Sequence, residues 1–374
     1  MSPRPFRFHA DAARVAQLRE RLARSHTVPA AADPQGRMGI APADLARLAA
    51  GLARLDWPGF EARINRHAAF LTEGAQRLHF VHERSADPAA LPVLLLHGWP
   101  GSYLEFSALL PQLTTGAPAF HVVCPSLPGY GFSTRSLEAP CNTLAIAHVM
   151  VDLMRSLGYE RFLVQGGDWG SMVGAQIARA YPQHCIGLHL NLAATQPPPE
   201  GDPARSAILP EEAAWLEANA HTFADALGYY AQHNTRPQTL AVALADSPLG
   251  LLAWLGEKHL AWSDRDANGR SLVSDQAILD HVALYWITDS IGSSIRLYYD
   301  EAHDPGSQSP VSVPTGVAIF PRELIRNPRA WVQYRFNLVH WSVQPRGGHF
   351  AAMEVPELLG EDLRAFTRTV QALP

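Results

Sequence analysis

Gly166-Gly167-Asp168-Trp169-Gly170-Ser171 puts a carboxylate where the chain must turn sharply. An apolar run, Phe162-Leu163-Val164-Gln165, precedes it, and a helix-forming run from Met172 to Arg179 follows. Strand, glycine-flanked polar residue and helix form the layout of a nucleophile elbow, a turn tight enough to need small neighbours. A hydroxyl is the usual nucleophile at such a turn, and here it is Asp168. A carboxylate gains nothing by attacking an ester, because the product is an anhydride. It can displace a leaving group from an sp3 carbon, leaving an ester on the enzyme. Epoxides and alkyl halides are electrophiles of that kind. The competing explanation is an aspartate that merely caps the following helix, and only matched partners decide between the two.

Partners are sought beyond the carboxyl ends of the other strands, where open α/β sheets bind ligands. After the apolar run 317–320 comes Pro321-Arg322-Glu323-Leu324, and after 338–341 comes Gly347-Gly348-His349-Phe350. Nucleophile, acid, histidine is the chain order used in α/β-hydrolases. His349 would be the base for a water, and Glu323 would orient it and stabilise the imidazolium. Glu301 and Asp304 are rival acids. The backbone N–H groups of Trp99 and Trp169 are the expected oxyanion-hole donors, and both rings serve equally well as core aromatics.

The elements that must position these groups follow from periodicity. Helical spacing marks residues 10–25 and 42–55, and Trp57-Pro58-Gly59-Phe60-Glu61 reads as a turn. Short strands are expected at 70–72 and 78–82. The wholly apolar run Pro92–Leu96 fits a strand buried on both faces, followed by the tight turn His97-Gly98-Trp99-Pro100-Gly101. Ser102 and Glu105 have capping-box spacing for a helix through Leu110. A strand at 120–124, a helix at 144–157 closed by Gly158 and a strand at 186–190 complete an alternating pattern. From Gln196 to about Gln308 the strands vanish. Helices are expected at 210–220, 222–232, 249–261 and 275–299, with many aromatics. The reading is an α/β doubly wound, mostly parallel sheet with an inserted helical cap and an N-terminal arm. The segments are an arm at 1–88, a core at 89–195, a cap at 196–308 and a second core segment at 309–374, which ends in a helix at 356–369.

Composition limits the partners. With 374 residues, 47% hydrophobic and 17% charged, the chain suits a globular protein. A net charge of -5 with no basic run argues against nucleic acid. Cys124, Cys141 and Cys185 offer neither a disulfide framework nor metal-ligand spacing, which points to a reduced, cytoplasmic protein. No signal peptide, membrane anchor, metal or cofactor is expected, and a homodimer is left open.

At this point the sequence resembles the microsomal-type epoxide hydrolases. The resemblance rests on His97-Gly98-Trp99-Pro100-Gly101-Ser102, on Gly166 to Ser171, on Val313 to Leu324 and on Arg346 to Ala352, and the N-terminal arm is similar to theirs. It implies Asp168 as nucleophile, Glu323 and His349 as the acid and base, and two lid tyrosines that hold the epoxide oxygen. Gly228-Tyr229 ahead of Thr235-Arg236-Pro237 matches the first tyrosine, and Tyr298 at the end of Ser293-Ser294-Ile295-Arg296-Leu297 matches the second. Tyr230 and Tyr299 are adjacent decoys. The implied reaction hydrolyses a small apolar epoxide with water to a vicinal diol, without cofactor. A haloalkane dehalogenase and a non-catalytic binding protein of the same fold are the alternatives.

Overall fold

The computed structural model describes residues 3–373 apart from 27, 29–32, 34, 35, 75, 137 and 138. Its nine strands are β1 (Pro3–Phe6), β2 (Ala69–Thr72), β3 (His79–Glu83), β4 (Leu91–Leu96), β5 (Phe120–Pro125), β6 (Phe162–Gly166), β7 (Cys185–Leu190), β8 (Val311–Ile319) and β9 (Phe336–Val343). They form one sheet in the order β1-β2-β3-β5-β4-β6-β7-β8-β9. The first three run antiparallel, and every pairing from β5 to β9 is parallel. Parallel strands must be covered on both faces, which is why β6 is buried at all five residues. Strand order reverses at β4, which pairs with both β5 and β6. That reversal opens a crevice at the carboxyl ends of β4 and β6, and the expected nucleophile and oxyanion loops both end there.

Between β7 and β8 the chain builds seven helices, among them Pro210–Asp225, Gly228–Thr235, Pro237–Asp246, Pro248–Trp262, Asp275–Thr288 and Ile291–His303. Three expectations are corrected here. The stretch 57–61 is not a turn but the start of helix Trp57–Ile64. Pro58 sits in its first turn, where a missing N–H costs nothing, and Trp57, Phe60 and Ile64 face the core. The segment 275–299 is two helices, because Asp289 adopts the left-handed conformation at φ 52° and ends the first one. Finally, Ser102 caps only a 3-10 turn, Tyr103–Phe106, and a separate short helix follows at Leu110–Leu113. The helix Pro237–Asp246 and strand β1 were not expected from periodicity.

The N-terminal arm extends the sheet through β1 and β2 and grips the inserted helices. Arg63 makes a two-pronged ion pair with Asp280 at 2.6 and 2.7 Å, and the Arg14 guanidinium donates to the carbonyl of Trp286. A planar fork matched to a carboxylate loses little freedom on pairing. The arm therefore fixes where the lid sits over the crevice.

The last helix, Pro356–Gln371, is tied to the sheet by Asp362. His189 Nε2 on β7 donates to it at 2.8 Å and His340 Nε2 on β9 at 3.1 Å. Burial would raise this carboxyl, but the two imidazoles hold it well below the ordinary carboxylate value. A depressed carboxyl contributes stability above its unfolded pKa of roughly 4, and loses it as pH falls through the folded value. Asp362→Asn is expected to cost about 1–3 kcal/mol at neutral pH and to flatten the acid limb of stability against pH. Urea titrations across that range check both, and an unaltered acid limb would contradict the assignment.

Candidate active site

Asp168 opens the helix Asp168–Ala180 directly after Gly167, at φ 46°, a region non-glycine residues seldom occupy. Close packing enforces the turn. A Cβ placed on Gly170 would lie 2.0 Å from the carbonyl oxygen of Leu96. A Cβ on Gly98 would lie 2.0 Å from Asp168 Oδ1 itself. With no side chain at 98, the loop after β4 reaches the carboxylate, and the Trp99 N–H donates to Oδ1 at 2.8 Å. Trp169 follows Asp168 in the first helical turn, where N–H groups have no intrahelical acceptor. The helix N-terminus favours a negative charge at this point.

The loops after β8 and β9 bring the remaining two groups to it. Glu323 Oε1 lies 2.7 Å from His349 Nδ1, and His349 Nε2 lies 3.4 Å from Asp168 Oδ2. The imidazole therefore bridges two carboxylates, with Glu323 and His349 both buried. The His349 N–H also donates to the carbonyl of Trp262 at 3.0 Å, and the Trp262 ring stands 5.1 Å from the imidazole. Burial alone would lower the His349 pKa. The Glu323 carboxylate, with Asp168 facing it, holds the group well above its ordinary value instead. The rival acids are engaged elsewhere: Glu301 accepts from the Thr143 N–H, and Asp304 accepts from Asn142.

Two lid tyrosines complete the ring of aromatics. Tyr229 is 7% exposed and Tyr298 2%, whereas their neighbours Tyr230 and Tyr299 are 39% and 36% exposed. Only the first pair turns inward. Tyr229 stacks on Trp99 at 5.3 Å, and Tyr298 meets Trp169 edge to face at 4.7 Å. The Tyr298 hydroxyl is buried and has no hydrogen-bond partner among the described residues. Burial raises both phenol pKa values, and the Asp168 charge adds to the effect.

Glu105 is a residue whose place sequence reasoning missed. Its spacing from Ser102 predicts a helix cap, but its carboxyl folds back so far that a Cβ on Gly101 would lie 1.5 Å from Oε1. It lines a cavity of about 10 Å³ together with Asp168, His349, Trp99 and Asn191, room for about one water. Burial pushes the Glu105 carboxyl up to about 8, with His349 pulling the other way. The sequence carries no signal separating such an inward carboxyl from a capping one.

A family model described as Epoxide hydrolase N terminus matches residues 3–106, and one for the alpha/beta hydrolase fold matches 92–228. The chain is 33% identical to Epoxide hydrolase 1 of Oryctolagus cuniculus, over 99% of this chain and 90% of that protein. The structure of Aspergillus niger epoxide hydrolase superposes with a TM-score of 0.90 at 35% identity, covering 99% of this chain and 97% of that one. The juvenile hormone epoxide hydrolase of the silkworm Bombyx mori gives 0.90 at 30% identity, covering 99% and 95%.

Gly98→Ala is expected to drive the loop after β4 off the Asp168 carboxylate. Turnover should fall at least about 100-fold, with a stability loss of roughly 1–3 kcal/mol for the overpacking. Steady-state kinetics alongside thermal unfolding check this, and near-normal activity would show that the Trp99 contact is dispensable.

Proposed function

The chain belongs to the microsomal-type epoxide hydrolase family and hydrolyses epoxides on the α/β-hydrolase fold, and on that premise we propose that it does so through a covalent ester on Asp168. The carrying observation is the placement of His349 between Asp168 Oδ2 and Glu323 Oε1. A histidine serving only as packing would not have an ionisable carboxylate on each nitrogen.

Tyr229 and Tyr298 donate hydrogen bonds to the epoxide oxygen. Asp168 Oδ1 stays with the Trp99 N–H, so Oδ2 is the attacking oxygen. It forms a bond to one ring carbon while the C–O bond breaks, and its electron pair is captured as a hydroxyl by a phenol proton. Ester formation removes the negative charge facing His349 Nε2. The imidazolium then loses one of its two carboxylate partners and releases its proton to solvent, regaining one when the Asp168 charge is restored at the end of the cycle. Now neutral, His349 takes a proton from a water in the small cavity beside Glu105. The resulting hydroxide attacks the ester carbonyl, and the Trp99 and Trp169 N–H groups stabilise the oxyanion. The diol leaves with the proton from His349, and Asp168 returns its own proton to the phenolate. Esterification itself is thus what converts His349 from a counter-ion into a base.

His349→Ala is expected to accumulate the ester without turning over. Intact-mass spectrometry after mixing with styrene oxide should show one added substrate mass, and an unmodified protein would exclude the ester route. Glu323 raises the His349 pKa, so Glu323→Gln should slow ester hydrolysis and move its pH dependence towards acid. Single-turnover rates between about pH 5 and 9 read this shift, and a profile moved towards base would reverse the role assigned to Glu323.

A further inference from the structure

Lys258 is the only lysine in the chain; all 29 other cationic side chains among the 30 Lys and Arg residues are arginines. It sits on the helix Pro248–Trp262 with Trp254 and Trp262 four residues to either side, so the three share one face. Its ammonium lies 5.0 Å from the centre of the Tyr229 ring, 5.6 Å from Trp254 and 5.8 Å from Trp262. The residue is 8% exposed. Its ion-pair partner is the neighbouring Glu257. His233, 5.5 Å from Tyr229 between ring centres, is pushed down to about 3 by burial and then by Lys258, so it stays neutral there. Among the described residues, the cation over Tyr229 is therefore a compact point charge, in a chain whose other basic side chains all carry the planar guanidinium.

We propose that Lys258 is a positioning residue for epoxide opening, whose ammonium over the Tyr229 ring draws electron density from the phenol and stabilises the charge left when Tyr229 gives its proton to the epoxide oxygen. The proposal rests on the ester-forming reading above. In that step the Asp168–carbon bond forms, the ring C–O bond breaks with its electron pair on oxygen, and the Tyr229 proton moves to that oxygen. The phenolate persists until the proton left on Asp168 after ester hydrolysis returns to it. Burial and the Asp168 charge both make Tyr229 reluctant to release a proton. A cation on the negative face of the ring works against both, and more strongly where water is excluded. Ester hydrolysis, by contrast, depends on His349 and Glu323 and does not draw on Lys258.

The two steps separate the idea from a merely structural role. In rapid-quench experiments with styrene oxide, followed by intact mass, Lys258→Met is expected to slow ester formation roughly 30-fold, the rate equivalent of about 2 kcal/mol. Hydrolysis of the ester should stay within about threefold of the parent rate. Lys258→Arg, which keeps the charge, should recover most of the loss. Lysine labelled with carbon-13 at Cε gives a single side-chain resonance in this protein, expected upfield from the three rings and displaced by Tyr229→Phe. Ester formation at the parent rate in Lys258→Met would overturn the proposal. So would both steps slowing together with a fall in Tm, or an unshifted resonance. If the parent protein forms no ester on Asp168, the reading beneath the proposal fails instead, and that outcome is visible without any variant.

Discussion

The imidazole of His349 lies 2.7 Å from the buried Glu323 carboxylate and 3.4 Å from the Asp168 carboxylate, whose side chain is 19% exposed. Two carboxylates set on either side of one imidazole favour its protonated form, whose charge offsets theirs. The Glu323 and Asp168 carboxylates hold the His349 pKa well above its ordinary value, against the effect of burial. This single constraint links elements distant in sequence, because its members come from the loops after β6, β8 and β9. Parallel strands that end at one edge of the sheet are what bring those loops together.

Holding the trio in place requires strain and clamping. Asp168 stays at φ 46° because the glycines around it let strand β4, the loop after it and the helix Asp168–Ala180 close on one another. The lid is held from the far side, where Arg63 and Arg14 of the N-terminal arm bind Asp280 and the Trp286 carbonyl. The arm thus bonds the helix Asp275–Thr288, which leads directly into the helix carrying Tyr298.

Much of this was legible in the sequence, for identifiable reasons. Asp168, Glu323 and His349 each follow a wholly or largely apolar strand, so their shared location at the sheet edge could be deduced from one-dimensional pattern. Choosing Tyr229 and Tyr298 over their neighbours needed the family resemblance, since Tyr-Tyr pairs on a helix give no hint of which ring turns inward. The helix at Trp57 was lost because Pro58 and Gly59 signal a turn as readily as a first helical turn. The break at Asp289 was lost because the apolar spacing continues across it. Glu105 and Lys258 escaped for a different reason: their significance lies in what they face, a water-sized cavity and an aromatic ring contributed by another helix. Asp168 and His349 beside Glu105, and Tyr229 beside Lys258, come from distant parts of the chain.

Gly98 carries a consequence for how such a molecule can diversify. The volume a side chain would occupy there already belongs to the nucleophile, and the Gly170 position is filled in the same way by the Leu96 carbonyl. The floor beneath the reacting carbon is therefore closed to variation, whatever compound is to be accommodated. Adaptation to new substrates is channelled into the roof, the helices between β7 and β8, where insertions and ring substitutions can reshape the entrance while the floor stays as it is.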